Sequence, residues 1–219
     1  MTTQVGQRDH LTRRQGSRQV RSRFSIFSEG TRTERDYFEL LRKTVGRGDS
    51  RNPLPLITFN SSKGSNPLQL VELAIREVKF ERAPGDEVWC VFDVESPQQH
   101  PYIDDALLRA ATKDISCAVS NPSFELWLIL HFEQCKRHLS TDEACRRLES
   151  LLRGYSRHNK GVASLDEIQA NYDVARARAV ELESSFPEDT SVAARNPSTS
   201  VWSLTERLLN LRKSRREPA

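Results

Sequence analysis

Between Phe24 and Val119 the sequence switches repeatedly between short apolar runs and longer stretches with helical spacing, and this alternation leaves few folds open. Phe24, Ile26 and Phe27 make the first run, Leu56 to Phe59 the second, Glu87 to Phe92 the third and Ile115 to Val119 the fourth. Runs this short suit strands. Between them, Tyr37, Phe38, Leu40 and Leu41, then Leu70, Val71, Leu73, Ala74 and Val78, then Ala106, Leu107, Ala110 and Ala111 recur at helical intervals. Pro67 suits the first turn of the second helix, and Thr31 or Thr33, with Glu34 close behind, suits the cap of the first. The pattern predicts an α/β fold with a mostly parallel four-stranded sheet flanked by helices. Its third strand, almost continuously apolar, belongs at the centre with both faces covered.

Beyond Asn121 the spacing turns helical, over Phe124 to Cys135, Thr141 to Leu152 and Leu165 to Glu183, and Ser200 to Arg212 makes a final amphipathic helix. The expected organisation is a flexible basic arm over 1–22, an α/β core over 23–120, a C-terminal helical extension over 121–213 that completes the site, and a basic tail over 214–219. No internal repeat is present.

The 219 residues are enough to bury a substantial core. Hydrophobic content of 37% against 29% charged, with a mean hydropathy of −0.63, leaves no apolar run near the roughly 18–20 residues that a membrane span requires. The N-terminus lacks the apolar centre of a signal peptide, so a cytoplasmic protein is expected. Cys90, Cys117, Cys135 and Cys145 show no CxxC spacing, which suits reduced packing thiols. His131, Cys135 and His138, with Cys145 further on, are compatible with zinc, but structural zinc sites usually bring paired ligands from turns. A partly exposed helix face is the preferred reading of that cluster. The net charge of +3 is small, yet Arg8, Arg13, Arg14, Arg18, Arg21 and Arg23 stand against Asp9 alone. Such an arm either binds phosphate through counterion release or serves as a solubilising end.

Chemistry concentrates where the apolar runs end. Glu29 follows the first run, and Asp93 and Glu95 follow the third, in VWCVFDVESPQQH. In an open parallel sheet, ligands gather outside the carboxyl ends of the strands, so acids there can converge on one hard cation such as Mg2+. Asp93 and Glu95, two apart in extended backbone, are expected to point the same way. Alone, Glu29 is also explained as an acid favouring the positive end of a helix.

The motifs EGTRTERDYF, the acid-x-acid of DVE, SNPSFELWLILHF, HNKG and NPSTSVWSL together resemble the RloB-like family, from about Phe24 to Leu209. The resemblance implies a Toprim-like core, in which a Glu and an Asp-x-Asp hold Mg2+ (or Mn2+) during phosphodiester chemistry. It implies a place in restriction-associated or abortive-infection phage defence, often beside an ATPase partner. By position, Glu29 matches the Toprim glutamate, and Asp93 and Glu95 match the acidic pair, with Glu95 standing where Asp is usual. Asn121 and Glu125 match the family's NP-x-FE element, and Lys160 the downstream lysine of nuclease members. The expected activity is metal-dependent hydrolysis of DNA or RNA. The alternative is a non-catalytic module that binds nucleic acid or the ATPase.

Several residues carry two readings. Asn121 either caps the next helix with Ser120 and Ser123 or touches metal or phosphate. Glu125, on an otherwise apolar helix, faces the site or pairs with a buried base. Lys63 in SSKGSNP can hold phosphate beside a helix N-terminus, although a solvated loop explains it well. Lys160 contacts phosphate or lies in a surface loop, and His100 suits an exposed loop position better than a metal ligand. There is no GxxxxGK[ST] and no GxGxxG, which removes the support for a nucleotide-binding domain.

Overall fold

All four apolar runs become parallel strands, and their order explains where the acids end up. In the computed structural model the described residues are 23–30, 32–45, 56–61, 66–78, 82–83, 85–162 and 166–213. Arg21 and Lys63, both expected to contact nucleic acid, lie outside them, as do Thr31 and the terminal arm and tail. The chain runs β1 (Arg23–Ser28), α1 (Thr33–Val45), β2 (Leu56–Ser61), α2 (Pro67–Glu77), β3 (Glu87–Asp93), α3 (Ile103–Ala111) and β4 (Ser116–Asn121). It continues through α4 (Glu125–Ile129), α5 (Thr141–Leu151), α6 (Asp166–Gln169), α7 (Tyr172–Ser184), a 3-10 turn (Val192–Ala194), β5 (Ser198–Thr199) and α8 (Val201–Lys213).

The sheet order is β2-β1-β3-β4-β5. From β1 the chain steps outward to β2, then crosses back over β1 to β3 and on to β4. Right-handed crossovers running in opposite directions place their helices on opposite faces. Accordingly, Tyr37, Phe38 and Leu41 of α1 pack with Phe24, Ile26 and Val91 on one face. Leu70, Val71 and Ala74 of α2 and Ala106 and Ala110 of α3 pack with Phe27, Cys90 and Phe92 on the other. The crossovers diverge between β1 and β3, so the crevice opens outside the carboxyl ends of those two strands.

A fifth strand corrects the expected four: Ser198–Thr199 pairs antiparallel with Ser120–Asn121. Two polar residues carry no strand periodicity; the backbone of β4 holds them, together with the Ser120 and Thr199 hydroxyls, 2.9 Å apart. Two helical readings also change. The stretch Phe124 to Cys135 contains only the five-residue α4, buried on all sides, and a run apolar all round does not define its own conformation. Leu165 to Glu183 divides into α6 and α7 across Ala170 and Asn171. Asn competes with the helical backbone for hydrogen bonds, which suits a boundary. At α2 the expectation holds: Pro67 is in the first turn, and Asn66 and Gln69 form a capping box.

The C-terminal helices add to the α1 face, where Trp127, Leu148, Ala179 and Leu204 join the same apolar cluster as Phe24 and Phe38. Among the described residues, no helix is long and apolar enough to cross a membrane. Phe38, fully buried and edge-on to Phe124 and Tyr37, ties α1 to α4. Phe38→Ala is expected to cost about 3–5 kcal/mol, read as a lower urea midpoint with an unchanged slope.

Candidate active site

Each wall of the crevice is built by a strand exit. At the end of β1, the Glu29 N–H donates to the Val91 carbonyl at 3.1 Å, so Glu29 stays locked to β3 one residue past the strand. The Ser28 hydroxyl donates to the Gly30 carbonyl at 2.9 Å and tightens the turn. A Cβ at Gly30 would lie 1.8 Å from Oε2 of Glu34, which folds back over it, so a side chain there would displace that carboxylate.

Asp93 ends β3 on the same sheet face as Trp89 and Val91, the face covered by α1 and α4. Past Asp93 the Val94 N–H donates to the Ser120 carbonyl and the Glu95 N–H to the Pro122 carbonyl, both at 2.8 Å. Extended alternation does not aim Glu95, because its φ is 68°, in the left-handed region that costs a residue with a Cβ. Instead, the Thr141 hydroxyl donates to Glu95 Oε2 at 2.5 Å and sets the carboxylate from α5.

A cleft of about 340 Å³ results, with Glu29, Glu34, Asp93, Glu95 and Glu125 along its acidic wall. Arg32, Arg157, His158 and Lys160 line it as well. The structure thus brings Glu29, Asp93, Glu95, Glu125 and Lys160 together. Glu125 is 2% exposed, takes hydrogen bonds from the Ser123 and Tyr155 hydroxyls, and stands 3.9 Å from the Lys160 ammonium. Ser123 therefore serves Glu125, and α4 has no side-chain cap, contrary to the capping reading of this segment.

Three more residues have defined places. The Asn121 amide donates to the Ala193 carbonyl at 2.9 Å and to that of Val192 at 3.4 Å, and Asn121 does not line the cleft. Arg23 stands at the start of β1, where its N–H donates to Asp86, about 20 Å of strand away from Glu29. His100 is no free loop residue: its Nε2 lies 2.8 Å from Glu29 Oε1. As for the zinc reading, His131 and Cys135 are buried rather than partly exposed, and His131 Nδ1 sits 2.9 Å from the Trp127 carbonyl. Burial pushes the His131 imidazole down to about 4, which keeps it neutral.

Glu34, which its place in the first turn of α1 explains as a helix-start acid, belongs to the cleft as well. The signal was present, because positions 34, 37, 38, 41 and 45 share one helical face and all are buried. An acid on an apolar stripe is costly unless it serves a site.

The electrostatics follow from crowding. Burial, then the charge of Glu95, raises Glu29 to about 7, against a hydrogen bond from the Asp93 backbone. Burial, with Glu125 and Glu29 adding to it, raises Glu34 to about 7, while its own backbone N–H and Lys160 oppose the rise. Asp93 is held well above the carboxylate range by burial and by Glu34, Glu125, Glu95 and Glu29. Glu29 Oε2 and Asp93 Oδ1 are buried with no hydrogen-bond partner. Among the described residues, no three or more His, Cys, Asp or Glu side chains are already gathered as a coordination shell.

Fold and cleft together define an α/β sheet protein with an acidic site at the topological switch point of its sheet. A family model described as RloB-like protein matches residues 24–208, and the chain belongs to that family. No curated protein and no solved structure matches it.

Raised carboxyl values make stability fall with pH. Below about 4.5 the folded and unfolded states are both protonated at Glu34; between 4.5 and about 7 only the unfolded state has ionised, so stability is lost across that window. Glu34→Gln is expected to stabilise the protein by about 1–3 kcal/mol at pH 8 and by almost nothing at pH 4, measured by urea unfolding at both values.

Proposed function

We propose that this RloB-like protein is a Mg2+-dependent (or Mn2+-dependent) nuclease with a Toprim-type core, acting in a cytoplasmic antiphage defence system beside an ATPase partner. The observation that carries the reading is Asp93: a buried carboxylate with an unpartnered oxygen, pressed by four other acids at the end of the central strand. So much like charge in one place is relieved by protons or by a cation. Glu29 and Asp93 fit a hard cation, since each keeps a free buried oxygen donor, and Glu95 supplies a third carboxylate beside them. When bound, a divalent cation would polarise a phosphate oxygen and lower the pKa of a water nucleophile.

The chain's own groups supply the rest. Lys160 gives the cleft positive charge for the scissile phosphate and is suited to neutralising charge that develops on it, while Arg157 beside it is held by Asp142 and Glu149. Its ammonium holds its proton more tightly than usual, because Glu125, Cys145, Asp93 and Glu95 outweigh the opposing effect of burial. His100, against Glu29 Oε1, orients that carboxylate from the loop following β3. This division of roles, anionic floor and cationic rim, favours phosphodiester hydrolysis over simple nucleic-acid binding.

Adding Mg2+ at about 100 times its dissociation constant is expected to raise Tm by roughly 5–10 °C, and Asp93→Asn to abolish the rise. Plasmid DNA and RNA incubated with Mg2+ or Mn2+ are expected to be cut by the wild type, and about 10²–10³-fold more slowly by Lys160→Met. Cutting that survives Asp93→Asn would overturn the assignment. Binding without cutting, even with the ATPase present, would favour the non-catalytic module.

A further inference from the structure

Among the described residues of the cleft, Glu125 alone receives a hydroxyl on each carboxylate oxygen. Ser123 donates to Oε2 at 2.7 Å, and Tyr155 donates to Oε1 at 2.8 Å. Both donors are buried, Ser123 at 1% and Tyr155 at 4% exposure. Two hydroxyl donors, one on each oxygen, fix the orientation of a buried carboxylate. Asp93 and Glu29 differ, since each keeps an oxygen with no partner. Ligand capacity is therefore concentrated on Asp93 and Glu29, while Glu125 is already committed.

That committed oxygen, Oε1, is the one 3.9 Å from the Lys160 ammonium. Tyr155 and Lys160 begin and end one short segment, so the segment grips Glu125 from both ends, by a hydroxyl and by a cation. Its backbone is anchored separately. Lys160 has φ 47°, its N–H donates to the Ser156 carbonyl at 2.6 Å, and its carbonyl accepts from the Thr33 hydroxyl at 2.9 Å. A strained backbone held from two sides leaves the side chain as the remaining freedom, and Glu125 restricts it.

We infer that Ser123 and Tyr155 are positioning residues, which act through Glu125 to hold the Lys160 ammonium at the cleft where the substrate phosphate is received. The phosphate at that point rests on the nuclease reading, whereas the chain from Ser123 and Tyr155 through Glu125 to Lys160 stands without it. Charged or titratable groups acting on Lys160 are Glu125, Cys145, Asp93, Glu95 and Glu34.

The test uses the full chain with its seven lysines 13C-methylated, which keeps their charge, and the Lys160 signal assigned through Lys160→Arg. Tyr155→Phe is expected to lower the Lys160 titration midpoint by about 0.5–1 unit, with no further drop when placed on Glu125→Gln. On cleaved DNA or RNA, Tyr155→Phe and Ser123→Ala are each expected to lower kcat about tenfold with KM nearly unchanged, and to have no effect on Lys160→Met. A Lys160 titration unmoved by Tyr155→Phe, or a drop that adds fully to Glu125→Gln, overturns the inference. If Tyr155→Phe does not stay folded, Ser123→Ala is read by the same two measurements. Wild-type protein that never cuts, with Lys160 still following Tyr155, overturns the nuclease reading and supports the positioning role.

Discussion

Like-charge repulsion around Asp93 is the constraint on which the site depends. Asp93 is buried, shares its surroundings with Glu29, Glu34, Glu95 and Glu125, and is held well above the usual carboxylate range. A fold with no use for that charge gains by replacing the acids with apolar residues. The surrounding chain instead maintains the crowding. Gly30 makes room for the Glu34 carboxylate, Glu95 adopts a left-handed backbone, and Thr141 reaches from α5 to hold it. Local strain of this kind gathers where geometry is specified by function rather than by stability.

The cationic side of the cleft is built by the part of the chain furthest from the strands. Glu125 on α4 and the segment from Tyr155 to Lys160 after α5 meet over the end of β3, and Thr33 joins that segment to α1. One apolar cluster spans β1, α1, α4, α5, α7 and α8, so the packing that buries Trp127 and Leu148 also positions Lys160 against the acids. The helices after β4 are thus part of the site as well as of the core.

Much of this was legible in the sequence, and the reasons differ by element. The four parallel strands and their helices follow from two periodicities that need no tertiary information. Glu29 and Asp93 follow from their place after apolar runs, and Glu125 from being an acid in an apolar segment. Glu34 was equally legible, because it lies on the buried stripe of α1, but its place in the first turn offered a simpler explanation. The strand Ser198–Thr199 was not legible, because it consists of two polar residues held by the hydroxyls of Ser120 and Thr199 and by the backbone of β4. Nor was the length of α4, since burial on every side erases the amphipathic signal that marks where a helix ends.

By itself the sequence determined the α/β alternation, the central strand and the two strand-end acids, because these depend on local periodicity and on chain position. Only the tertiary structure decided that Glu95 is aimed by Thr141, that His100 holds Glu29, that Asn121 turns to the 3-10 segment and that Arg23 lies at the far end of the sheet. It alone joined Ser123 and Tyr155 through Glu125 to Lys160. These contacts join residues whose partners are set by packing and by backbone conformation rather than by spacing, so no local pattern in the chain records them.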